Sequence, residues 1–178
     1  LETALKWFAP LASRLAEHHH GAGRPVLVAI NGCQGSGKTT LGDYLCAALL
    51  AEHDLNAVAL SLDDFYLTRA QREALASTVH PLLSTRGVPG THDIALLRDT
   101  LTQLLAPELQ GEVAIPRFDK SPDDRRPLPE WDRVTRPVQV VLLEGWCLGA
   151  RPESAQALSR PINELERKED PEGHWRKF

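Results

Sequence analysis

Eight residues, Gly32-Cys33-Gln34-Gly35-Ser36-Gly37-Lys38-Thr39, narrow what this chain can fold into more than any other feature. They follow the pattern Gly-x4-Gly-Lys-Thr. Before them stands the apolar run Val26 to Ile30, which reads as a buried strand of a parallel sheet. After them, Leu41, Leu45, Ala48 and Leu49 recur at helical spacing. Glycines let backbone N–H groups close around phosphate oxygens, and the N-terminus of the following helix adds roughly half a positive charge. Lys38 then reaches the β- and γ-phosphates of a triphosphate, and the Thr39 hydroxyl is placed to ligate Mg2+. Gly32, Gln34, Gly35, Ser36, Gly37, Lys38, Thr39 and Thr40 are therefore the candidate nucleotide-binding residues. Cys33 reads as a small loop residue, because no base stands beside it in sequence.

A strand at about Ala57 to Leu62 completes a β-loop-α-β unit, and the rest of the chain continues the alternation. Leu5, Phe8, Ala12 and Leu15 predict an amphipathic first helix with a kink or late start at Pro10, ending in the solvated His18, His19 and His20. Gly21 to Pro25 read as a turn-rich break, Leu67 to His80 as a helix and Pro81 to His92 as a loop. Ile94, Leu97, Leu101 and Leu104 mark a helix capped by Thr91 or Asp93. A strand follows at Glu112 to Ile115, and Val138 to Leu143 is the most apolar strand of all. Between them, Arg117 to Pro137 holds four prolines and eleven charged residues, which predicts a functional loop or lid.

The pattern predicts one domain over residues 1–178, an α/β three-layer sandwich with a mainly parallel β-sheet flanked by helices, its ligands at the carboxyl ends of the strands. With 42% hydrophobic and 25% charged residues the composition is that of an ordinary globular domain. The longest apolar run, Tyr44 to Ala51, is far too short to cross a bilayer, and a net charge of −4 offers no general footprint for nucleic acid. Three cysteines without Cys-x-x-Cys spacing indicate neither disulfides nor a thiolate zinc site, and suit a reducing cytoplasm. The chain has no methionine and starts at Leu1, so it reads as a fragment that lacks its natural start.

Phosphate binding alone does not choose a reaction. Asn-Lys-x-Asp, which would read guanine, is missing, and so is the Ser-Gly-Gly-rich signature of transporter ATPases. The strand to Leu62 delivers Asp63 and Asp64, and the strand to Leu143 delivers Glu144, so a parallel sheet brings three acids to the edge that carries the phosphate loop. A cradle, a metal held by a hydroxyl and an acid, and a carboxylate base are the parts that phosphoryl transfer from ATP to a hydroxyl requires.

Four further segments carry a resemblance: Ser61-Leu-Asp-Asp-Phe-Tyr-Leu-Thr68, Arg86-Gly-Val-Pro-Gly-Thr-His-Asp93, Pro116-Arg-Phe-Asp-Lys-Ser121 and Leu142-Leu-Glu-Gly-Trp-Cys-Leu-Gly149. In order and spacing they closely resemble the D-glycerate 3-kinase group, within the uridine kinase, phosphoribulokinase and pantothenate kinase superfamily of P-loop NTPases. The resemblance implies a kinase that uses ATP and Mg2+, with Asp63 as base, Lys38 on the phosphates, and Glu144 with Thr39 on the metal. It further implies acceptor contacts from Asp64, Tyr66, Arg86, His92, Asp93, Arg117 and Lys120. Asp64 stands where relatives often carry a small residue, and Asp93 reads equally as a helix cap. Arg125 and Arg126 extend a cationic cluster suited to a substrate carboxylate, although a solvated loop explains them as well. Trp146 reads as a pocket wall or as core. The resemblance also implies further C-terminal helices and a lid, and the segment Asn163 to Phe178, with nine charged residues, predicts a solvated helix leading into a loop. The expected reaction is phosphorylation of D-glycerate to 3-phosphoglycerate. A nucleoside or pantothenate acceptor, or a nucleotide-binding regulatory protein without turnover, are the alternatives.

Overall fold

The most apolar run of the chain becomes the axis of the structure, a computed structural model that describes residues 4–178. A π-helical turn Ala4–Phe8 leads into α1 (Ala9–Ala22), β1 (Val26–Asn31), α2 (Lys38–His53) and β2 (Ala57–Ser61). A 3-10 turn Leu62–Phe65, α3 (Arg69–Thr78), a second 3-10 turn Pro81–Ser84 and α4 (Ile94–Leu104) follow. Then come β3 (Val113–Ile115), β4 (Phe118–Asp119), β5 (Asp124–Arg125), β6 (Asp132–Val134) and β7 (Val140–Gly145), and last α5 (Glu164–Glu169) and α6 (His174–Lys177).

The main sheet has the order β1-β7-β2 and is parallel throughout. All six residues of β7 are buried. Val140 and Leu142 pack with Ala12, Ala16, Leu45 and Leu49 of α1 and α2, while Val141 and Leu143 pack with Leu60, Phe65, Leu97 and Leu104 on the other face. The alternation of a strand thus builds two cores from one run, and each buried Val or Leu contributes about 1.5–3 kcal/mol of transfer free energy. Three layers result, as the strand and helix pattern predicts.

Several expectations need correction. β1 is not buried on both faces: Val26 is, but Leu27 is 45% exposed, because β1 is an edge strand covered only on its α1–α2 side. β3 does not join the parallel sheet but pairs antiparallel with β6, and β4 pairs with β5 as a small hairpin. The polar segment Arg117 to Pro137, expected to be a functional loop or lid, carries that hairpin and the strand β6. Of the two readings of Pro10, the late start holds and the kink does not. Pro10 sits in the first turn of α1, where its missing N–H is no loss. Gly21 and Ala22 still belong to that helix, which stops at the left-handed Gly23 (φ 63°) beyond the exposed His18 and His20. The side chain of Leu5 lies outside the described residues.

The tail is not simply solvated either. Asp170 and Glu166 are buried, and the Asp170 carboxylate accepts the backbone N–H groups of Trp175 and Arg176 at 3.0 Å each. Burial alone would raise the Asp170 carboxyl, but those amides with Arg176 and His80 hold it below the ordinary range. Trp175 stacks on His80, which ties α6 to the turn Pro81–Ser84. No helix among the described residues is long and apolar enough to cross a membrane.

Candidate active site

The phosphate loop leaves the carboxyl end of β1 and enters α2 at Lys38. Gly35 and Gly37 have φ of 74° and 86°, a left-handed backbone that turns successive N–H groups inward at little cost only for glycine. The first turn of α2 carries no side-chain cap, which leaves its amides facing the loop. Within the loop, Lys38 Nζ donates to the Cys33 carbonyl at 2.9 Å and lies 4.0 Å from Glu144 Oε2. Thr39 Oγ1 donates to Glu144 Oε1 at 3.2 Å.

Glu144 is set by register: in the sheet it lies between Ile30 of β1 and Ser61 of β2, at the edge that the loop also occupies. The next residue has to be Gly145, since a Cβ there would stand 2.9 Å from Leu62 Cβ. Asp63 and Asp64 follow β2 in the 3-10 turn. Asp63 Oδ2 accepts Lys120 Nζ at 2.7 Å. Asp64 accepts Arg117 Nη1 at 2.7 Å and the Phe118 backbone N–H at 3.0 Å, so it pins β4 in place. Lys38, Thr39, Asp63, Lys120, Glu144 and Trp146 share one cleft of about 480 Å³. Trp146 is thus a pocket wall. The hydroxyl of Thr39 and the carboxylate of Glu144 are hard oxygen donors beside the phosphate loop, a set that fits Mg2+.

Tyr66, Arg86, His92 and Asp93 do not line that cleft but lie next to it. Tyr66 and His92 form an isolated antiparallel bridge and stack with ring centroids 4.2 Å apart, and Phe118 meets the Tyr66 ring edge-on at 5.4 Å. Burial, then the Asp63 carboxylate, pushes the Tyr66 hydroxyl well above its ordinary pKa. Burial lowers the His92 imidazole, with Asp63 opposing, and the ring is therefore neutral at pH 7; its Nε2 is buried without a hydrogen-bond partner among the described residues. Asp93 is committed to structure: Oδ1 caps α4 through the Leu96 N–H at 3.0 Å and Oδ2 accepts Arg125 at 3.1 Å. Arg125 also donates to the Tyr66 carbonyl, so the solvated-loop reading holds for Arg126, paired with Asp119 on the surface, and not for Arg125.

The expected free cations are paired. Arg117 binds Asp64 and Asp132, Lys120 binds Asp63, and Arg86 binds Asp123 while lying 5.8 Å from the Phe118 ring centroid. Burial alone would lower the Arg117 pKa, but its two carboxylates raise it above the ordinary arginine value. Arg72, Asp123 and Asp132, which stand behind these side chains, were not legible as their partners. No local pattern marks them, because each acts across a long sequence separation.

Comparison with known proteins bears on the fold and the family. No family model matches the chain. It is 38% identical to an uncharacterized kinase, mug58, of Schizosaccharomyces pombe, over 77% of this chain and 51% of the relative. It is 35% identical to the chloroplastic D-glycerate 3-kinase of Arabidopsis thaliana, over 80% of this chain and 32% of the relative. The solved structure of D-glycerate 3-kinase from Cryptococcus neoformans matches with a TM-score of 0.73 at 31% identity, covering 84% of this chain and 55% of that one. The chain spans about half the length of the fission-yeast relative and less of the plant one. Its homologues thus include D-glycerate 3-kinase, as the four motifs imply, and its α/β fold is shared with P-loop kinases.

Proposed function

We propose, taking kinship with the P-loop kinases as the premise, that this chain transfers the γ-phosphoryl of ATP to a hydroxyl of D-glycerate, giving 3-phosphoglycerate. One observation carries the reading: residues from three strand ends, Lys38 with Thr39, Asp63, and Glu144, meet in one cleft. The loop amides and Lys38 hold the β- and γ-phosphates. Mg2+, when bound, would supply positive charge to offset the negative charge that develops during transfer. Thr39 and Glu144 are the residues that would hold it. Asp63 accepts the proton of the acceptor hydroxyl while the new O–P bond forms and the bond to ADP breaks. In this structure Lys120 donates to one of the two Asp63 carboxylate oxygens, Oδ2. A carboxylate on the acceptor then needs a fixed cation, for which Arg86, Arg117 and Lys120 are the candidates.

A second reading, a neutral acceptor such as a nucleoside, is favoured by the pairing of all three cations with protein acids, whereas pantothenate, which also carries a carboxylate, would need a cation as glycerate does. ADP release measured with D-glycerate, glycerol, glyceraldehyde, nucleosides and pantothenate separates the two. The expected result is a kcat/KM for glycerate that exceeds that for glycerol by about tenfold or more, the size of one charge-assisted contact. Equal values, or a preference for a nucleoside, would reject the hydroxy-acid reading; ATP binding without turnover on any acceptor would favour a regulatory role.

A further inference from the structure

The arginines around the β4–β5 hairpin differ in how many of their five N–H donors are occupied. Arg72 is fully buried and uses four of its five donors: Nε donates to the Leu67 carbonyl at 3.3 Å, Nη1 to the Ser84 carbonyl at 2.9 Å, and Nη2 to the Asp123 carbonyl and Oδ2 at 2.6 and 3.0 Å. Arg117 uses Nε, Nη1 and Nη2 on Asp64 and Asp132, and Arg125 uses Nε and Nη2 on Tyr66 and Asp93. Arg86 and Arg126 use fewer. Arg126, 46% exposed, makes one hydrogen bond, to Asp119 on the surface. Arg86 Nη1 binds Asp123 Oδ1, whereas its Nε and Nη2 have no protein partner among the described residues and its side chain is 32% exposed.

Asp123 makes this arrangement possible. It sits between β4 and β5 with φ at 58°, a left-handed backbone that few residues other than Gly, Asn and Asp adopt. One buried arginine holds both its carbonyl and its carboxylate, so the second carboxylate oxygen presents a fixed acceptor to Arg86. Burial would raise the Asp123 carboxyl, but Arg72 and Arg86 override it and keep the group ionised. Two guanidiniums around one carboxylate leave that three-residue cluster with a net positive charge. Arg86 acts on Tyr66, whose hydroxyl in turn faces Asp63. In-line transfer puts the acceptor beside Asp63, and Arg86 lies 5.8 Å from the ring centroid of Phe118, which lines the same cleft as Asp63.

We propose that Asp123, anchored by Arg72, is a positioning residue that holds Arg86 with two donors directed at the carboxylate of the acceptor. This rests on the hydroxy-acid reading above, and among the three candidate cations it singles out Arg86. The hairpin is then a specificity element, and its anchor in α3 lies outside the cleft.

Asp123→Asn tests it, since Asn tolerates the left-handed backbone and removes only the charge. The KM for D-glycerate should rise about tenfold, the loss of one charge-assisted contact, while the KM for ATP and for glycerol stay within about twofold. Arg86→Ala should raise the glycerate KM similarly, and the double variant should be no worse than Arg86→Ala alone, because the two residues act as one unit. An unchanged glycerate KM in Asp123→Asn beside a raised one in Arg86→Ala would overturn the proposal, as would a parallel rise for glycerate, glycerol and ATP. Wild-type protein that turns over no hydroxy acid would reject the parent reading instead. In that event labelling with phenylglyoxal, mapped by peptide mass, still decides the positioning: Arg86 should react several-fold faster in Asp123→Asn than in wild type while Arg72 stays protected in both. Equal Arg86 rates would contradict it.

Discussion

On the nucleotide side of the cleft, eight contiguous residues and one strand neighbour make nearly every contact: Lys38 bonds within its own loop, and Thr39 reaches Glu144 across adjacent strands. On the acceptor side, Lys120–Asp63, Arg117–Asp64, Arg72–Asp123, Arg86–Asp123 and Arg125–Asp93 join residues 32 to 57 positions apart. The first wall is made by backbone conformation and the second by charge pairing between distant segments. A backbone cradle tolerates distant change, because its geometry is local. A charge-paired wall can be retuned by one substitution far from the chemistry. Under the proposed function, the rigid wall would bind phosphate and the adjustable one would choose the acceptor.

The largest expected effect would break that comparison if it failed. Lys38→Ala should weaken ATP binding by about a hundredfold and abolish turnover, since a charge-assisted contact to a polyphosphate is lost, while the melting temperature stays within about 2 °C. Calorimetric titration of ATP together with a thermal melt measures both. Normal ATP affinity would show that the loop is not the phosphate site.

A smaller effect sharpens the other half of the comparison. Asp123 is held ionised by Arg72 and Arg86, with its folded pKa below that of the unfolded chain. Its contribution to stability is present above the ordinary carboxylate pKa of roughly 3.9 and is lost as the pH falls through the lower folded value. Wild-type protein should therefore lose more melting temperature between about pH 4 and pH 3 than Asp123→Asn does. Parallel curves would show that this ion pair contributes nothing to the acceptor wall.

The same contrast explains what was legible from sequence. The phosphate loop, the apolar β7, and Asp63 and Glu144 at strand ends are contiguous patterns, and the structure places each where strand and helix periodicity put it. Asp93 was read as cap or acceptor contact, and its bonds to Leu96 and Arg125 make it structural. Arg72 in a polar helix looked like any solvated arginine, because its carboxylate partner stands 51 residues away. β3 looked like another sheet strand, since three apolar residues do not reveal whether the partner runs parallel or antiparallel. Asp170 was hidden in a charged run, and only the fold shows that it caps the turn into α6. Sequence periodicity reports which face is buried, whereas ion pairing depends on which segments meet.

The assignment that unites both walls is Asp63 as the base between them, and the rate of Asp63→Asn, measured beside Glu144→Gln over a range of magnesium concentrations, tests it most directly. General-base catalysis contributes about 10²–10⁴-fold, so Asp63→Asn should lose that much kcat at every magnesium concentration with ATP binding nearly intact. Glu144→Gln should instead recover part of its rate at high magnesium, because it weakens a metal contact. A near-normal kcat for Asp63→Asn, or the same magnesium dependence in both variants, would contradict the assignment and make Asp64 the next candidate for the base.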